Sequence, residues 1–115
     1  MDDRAKQYVR SARSVVEYVD ELVETLRRFR QAVKTQAMRI ESGTPAVDAL
    51  ESVNASTIRQ ELADALGHFE ALRYQMRLAF IALALEEGSS QGDVARALGV
   101  SRQLVSRIAG DIDVV

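Results

Sequence analysis

Between residues 3 and 41, apolar side chains recur as Val9, Ala12, Val16, Val19, Val23, Leu26, Val33, Ala37 and Ile40. The steps alternate between three and four, and Arg30 fills the one polar place in the row. That spacing predicts a single helix with a heptad seam sustained for about four and a half repeats. Val15, Leu22 and Phe29 widen the stripe on one side. A stripe this wide predicts packing against more than one helix. At about 1.5 Å per residue the helix runs nearly 60 Å, and alone it cannot bury its own stripe.

Ser42-Gly43-Thr44-Pro45 interrupts the pattern. Gly43 suits a left-handed stop, Thr44 a cap and Pro45 the first residue of a following helix. A short helix is predicted over 45–53, and Asn54-Ala55-Ser56 is a second break. Thr57-Ile58-Arg59-Gln60 reads as a capping box. Behind it a second heptad run, Ile58, Leu62, Ala65, Phe69, Leu72, Met76, Ala79 and Leu83, continues to about residue 87. Leu66, Phe80 and Ile81 broaden it, and Met38 and Met76 read as core.

Two long helices with a short connection predict an all-α fold, a long antiparallel helical hairpin of coiled-coil or bundle type. Their spare apolar width suits a second copy of the chain, giving a four-helix bundle as a homodimer or higher homo-oligomer. A monomer that uses the short helix as a third member is the alternative. The acidic run Glu17, Asp20, Glu21 and Glu24 precedes the basic run Arg27, Arg28, Arg30, Lys34 and Arg39. Such blocks read as solvated faces, or as partners in register across antiparallel helices. Arg30 on the seam is expected to set register or oligomeric state.

Composition narrows the chemistry. The 115 residues fit one domain, or one small domain with a long extension. With 0 Cys there is no disulfide, Cys-ligated zinc or thiol nucleophile, and 1 His leaves no pair of catalytic histidines. His68 itself reads as an ordinary polar residue on a helix flank. The 1 Pro and 6 Gly agree with long, rarely broken helices. Aromatics at 5% with no Trp argue against a stacking platform for single strands. A net charge of -2 excludes a wholesale nucleic-acid coat, though not a local patch. Of 15 basic residues only Lys6 and Lys34 are lysine, and arginine's flat fork suits phosphate and guanine. No apolar run reaches a membrane span, and residues 1–4 lead into no signal core. A cytoplasmic bacterial protein is expected, without a cofactor or metal.

The third piece, residues 88–111, carries the functional signal. Gly88 ends the second long helix, Ser90 can cap the next, and residues 91–108 read QGDVARALGVSRQLVSRI. Ala95 fits a helix crossing that a larger side chain would hold apart. Gly99 fits a turn that needs a left-handed residue. Val94, Leu98, Val100, Val105 and Ile108 point to a shared core, with Leu104 adding to it. Phe80, Ile81, Leu83 and Ala84 of the preceding helix are expected to cover Val94, Leu98 and Ile108. The tail residues Ile112, Val114 and Val115 are expected to pack back or fray.

This stretch resembles the helix-turn-helix of bacterial and phage DNA-binding proteins, among them Cro-type repressors, the tail domain of serine resolvases and region four of primary sigma factors. The likeness spans about twenty residues, or about forty with the preceding helix. It implies a long-helix oligomerisation region over 1–75 and a trihelical DNA-binding unit over 76–115, its first helix shared with the hairpin. It also implies that a helix around 101–110 enters the major groove. On that reading Gln91, Ser101, Arg102, Gln103, Ser106 and Arg107 contact double-stranded DNA. Arg102 and Arg107 are the candidates for guanine or phosphate, Gln103 for adenine, and Gln91 for phosphate at a helix start. Ser101 and Ser106 can touch phosphate, and Ser101 can equally serve as a cap. Arg96 reads as solvent or phosphate facing. Arg73 and Arg77 either flank the DNA or pair with acids such as Glu70.

The expected function is a small dimeric transcriptional regulator of the nucleoid, with half-sites about one helical turn or a multiple apart. The alternative is a nucleoid-associated or partition-type architectural or adaptor protein, whose long helices bind a partner while the motif tethers it to DNA. An enzyme is not expected. The motif resembles the DNA-binding end of recombinases, and the catalytic domain such an enzyme needs has no room in 115 residues.

Overall fold

The computed structural model describes residues 2–113, and these are all-helical apart from short connections. Five helices follow in order: α1 Asp3–Glu41, α2 Ala46–Ser52, α3 Ala55–Glu86, α4 Gln91–Leu98 and α5 Arg102–Asp113. The chain divides into two compact units. One combines the residues up to Val15 with those from Leu72 onward, and the other is Val16–Ala71. The helices α1 and α3 both run through the division.

Asp2 caps helix α1, its carboxylate accepting the Ala5 N–H at 2.9 Å. It ends where the Thr44 N–H donates to the Arg39 carbonyl and the Gly43 N–H to the Ile40 carbonyl. Gly43 holds φ +97°, the left-handed stop expected of it. The other caps expected around the breaks differ. Thr44 does not cap α2: Pro45 takes the cap position itself, with no side-chain bond. Thr57 and Gln60 form no capping box. Helix α3 starts two residues earlier than that motif, at Ala55, and the Gln60 amide donates forward to Asp64 at 2.8 Å. Asn54, at φ +53°, turns the chain there, and its carbonyl accepts the Ile58 N–H. Asn tolerates that conformation better than most residues do.

In the Val16–Ala71 unit, α1 and α3 pair antiparallel. The Tyr18 ring lies 4.4 Å from the His68 ring, centroid to centroid, and Arg28 Nε lies 3.6 Å from the Glu61 carboxylate. Of the two rows on α1, the widening row makes the intrachain contact: Leu22 is buried and Phe29 half-buried. The longer seam stays open, with Val16, Val19, Val23, Leu26 and Val33 between 37% and 69% exposed. Met38 is 63% exposed, so it is a surface residue and not the core residue expected. On α3 the heptad run is the inward face, with Ala65 buried and Ile58, Leu62 and Phe69 half-buried. Helix α2 buries Ala49 and leaves Val47 and Leu50 exposed.

In the other unit the start of α1 also runs antiparallel to α3. Tyr8 meets Phe80 with centroids 5.9 Å apart, and Arg4 Nε lies 3.4 Å from the Glu86 carboxylate. The core joins three helices: Ile81 and Ala84 from α3, Val94 and Ala95 from α4, Val105 and Ile108 from α5. Leu78, Phe80, Leu85, Leu98, Val100, Leu104 and Ile112 pack against it. Leu83, expected in this core, is not among these residues and is half-buried. Ile112 does pack back, as expected, while Val114 and Val115 lie outside the described residues.

Candidate functional site

The local geometry of 88–113 follows from its caps. Helix α3 stops at Gly88, φ +95°, with the Ser89 N–H donating to the Ala84 carbonyl. Ser90 then caps α4, its Oγ accepting the Asp93 N–H at 3.1 Å. Helix α4 stops the same way. The Val100 N–H donates to the Ala95 carbonyl and the Gly99 N–H to the Arg96 carbonyl. Gly99 sits at φ +71°, ψ +33°, where a Cβ would press on the backbone. Two residues on, Ser101 caps α5, with its Oγ accepting the Leu104 N–H at 3.1 Å. The turn between α4 and α5 is therefore Gly99-Val100-Ser101, and both ends of it are hydrogen-bonded locally.

A short turn with fixed ends leaves little choice of crossing, and the crossing is filled by small side chains. Ala95 is 4% exposed and lies in the same cluster as Val105 and Ile108. Val94 and Val105 are fully buried, and with Ile81 they are the largest fully buried side chains among the described residues. The inward row of α5 is therefore Leu104, Val105, Ile108 and Ile112.

Its outward row is what remains. Arg102, Gln103, Ser106 and Arg107 are all exposed, and at 3.6 residues per turn their spacing puts them on one face. Ser101 stands at the head of this row, exposed, with its hydroxyl already engaged as the cap. Gln91 is half-buried at the first position of α4. The Arg96 guanidinium is paired with the Asp93 carboxylate on the outer side of α4, a solvated contact one turn apart. Arg77, on α3, is half-buried. No acidic side chain interrupts α5 from 102 to 110, so its outer face presents two guanidinium groups with amide and hydroxyl donors between them.

Tyr8 and Arg4 escaped the sequence reading of this unit. The signal was present: Tyr8 lies seven residues before Val15 and so extends the row that Leu22 and Phe29 continue. No family model matches the chain, and neither a curated protein nor a solved structure matches it.

Proposed function

We propose that this chain is a sequence-specific double-stranded DNA-binding protein, a small dimeric transcriptional regulator of the bacterial nucleoid. It belongs by this reading with the helix-turn-helix proteins, and α5 is the helix that reads the major groove. The observation that carries the proposal is the division of α5 into two faces. One face is locked into a core by Val105 and Ile108, and the other offers Arg102, Gln103, Ser106 and Arg107 to solvent. A helix held this rigidly can present side chains to base edges at a set depth and angle. Arginine forks suit guanine, glutamine suits adenine, and the hydroxyls suit phosphate. Gln91, at the start of α4, suits a phosphate beside the groove.

Selection from a pool of random duplex DNA near physiological salt tests this. Enrichment of an inverted repeat supports a dimeric reader, and its spacing measures the distance between the two α5 helices. Arg102→Ala and Arg107→Ala should each cost about 1–3 kcal/mol on the enriched site and relax its sequence at one position. Retention of both affinity and sequence in the double variant removes α5 from the interface.

The second reading is an architectural or adaptor protein of nucleoid-associated or partition type. It draws on the apolar stripe left open along α1, an invitation to a partner or to polymerisation. It expects retention of duplex with no enriched motif and a steep loss of binding with salt.

A further inference from the structure

Helix α1 carries two apolar rows, and its own chain covers only one of them. The covered row runs through Val15, Leu22 and Phe29; the open one through Val16, Val19, Val23, Leu26 and Val33. At 3.6 residues per turn the two lie about 70° apart around the helix, so α3 on the covered row and a partner on the open one stand side by side, as the neighbours of a helix in a four-helix bundle do. Helix α2 buries Ala49, and the row from Val16 to Val33 stays exposed beside it.

The open row has a symmetry of its own. It alternates steps of three and four about a centre between Val23 and Leu26. A second copy laid antiparallel about that centre puts Val16 opposite Val33, Val19 opposite Arg30, and Val23 opposite Leu26. Every seam position of one copy then meets a seam position of the other, as knobs-into-holes packing requires. The same register answers the charges. A parallel pair would stack Arg30 on Arg30 in one layer. The antiparallel pair separates the two guanidinium groups by about 16 Å along the axis, at 1.5 Å per residue, and gives each an aliphatic neighbour. It also sets Asp20 of one copy between Arg27 and Lys34 of the other on the exposed flank. Arg27 already has a solvated partner, Glu24, at 3.5 Å, so this flank steers orientation more than it adds strength.

We infer that the open row of α1 is a self-association surface, and that its partner is a second copy of this chain in antiparallel orientation about the Val23–Leu26 centre. The inference deepens the dimeric part of the proposed function and does not depend on DNA contacts by α5. Arg102→Ala/Arg107→Ala protein should keep its mass in solution whatever happens to DNA binding.

The test uses the full chain without DNA. Light scattering should give twice the 12.7 kDa chain mass. Leu26→Lys should weaken association roughly a hundredfold or more, because a charge would enter the seam. Its helical content at low temperature should be retained, since Leu26 is not part of the intrachain core. Because the chain has no cysteine, orientation can be read with single-cysteine variants. Val16→Cys mixed with Val33→Cys should cross-link under mild air oxidation, whereas either alone should not. In the antiparallel pair, like positions stand about 25 Å apart. Cross-linking of each variant with itself would establish a parallel pair and overturn the orientation. A chain of monomeric mass, or a dimer indifferent to Leu26→Lys, would overturn the surface.

Discussion

The Tyr8 ring meets Phe80 at an interplanar angle of 64°, edge toward face, with centroids 5.9 Å apart. This contact fastens the first turns of α1 to the end of α3 that supplies Ile81 and Ala84 to the three-helix core. A residue near the start of the chain thus helps hold the platform on which α4 and α5 rest. Edge-to-face geometry adds to simple burial, by about 0.5–1.5 kcal/mol. A double-mutant cycle of Tyr8→Leu and Phe80→Leu, followed by urea unfolding, should return a coupling of that size. Strict additivity would mean that the rings contribute through burial alone.

Two glycines seven residues apart, Gly92 and Gly99, should respond to alanine with opposite sign. Gly99 is left-handed, so Gly99→Ala should cost about 1–2 kcal/mol. Gly92 lies in the first turn of α4, where an added Cβ would meet only Arg96 and Ser90 atoms at 3.7 and 3.8 Å. Gly92→Ala should stabilise by about 0.4–1 kcal/mol through the unfolded chain. Thermal melts of the two variants decide the matter, and equal shifts would refute the assigned turn.

The serine caps offer a separation of folding from binding. Ser90→Ala and Ser101→Ala should each cost about 1 kcal/mol, and aspartate at either place should restore most of it. Ser101 also heads the outer row of α5. On the proposed reading, Ser101→Asp should restore stability while weakening DNA binding by charge repulsion. A variant that recovers both would leave Ser101 as a cap only.

Burial separates two side chains of similar size. Ile81 is completely enclosed, and Ile81→Ala should destabilise by about 2–5 kcal/mol. Met38 is largely solvent-exposed, and Met38→Ala should stay within about 0.5 kcal/mol of the parent. Chemical denaturation of both reads the contrast directly. A comparable loss for Met38 would reveal a partner over that part of α1.

The sequence was most legible where one element has one job. The row from Ile58 to Phe69 is the inward face of α3 in the unit where α3 meets only the two helices before it; further along, Ile81 and Ala84 turn a second face to α4 and α5. Gly99 and the caps Ser90 and Ser101 were readable because each acts within a few residues of itself, and Ala95 because a short turn sets the crossing it fills. Helix α1 was harder. Its two rows are both apolar, and periodicity cannot say which of them the chain's own α3 will cover. Leu22 went inside, while Val16 and Val23 stayed out. The expected capping box failed for a different reason: Asn54 accepts a left-handed conformation, which lets α3 begin ahead of Thr57 and leaves Gln60 mid-turn. The outward row of α5 was identified in sequence as what the core does not use.

The two faces of α5 share a helix without sharing residues. Arg102, Gln103, Ser106 and Arg107 can be exchanged while Val105 and Ile108 keep the helix seated. Variation at those four places is thereby nearly free of penalty to folding, and if they read DNA as proposed, a lineage can explore new targets by drift without passing through unstable intermediates. For the engineer the same separation makes them a cassette: a library randomised there should be mostly folded, and its survivors sorted by what they bind.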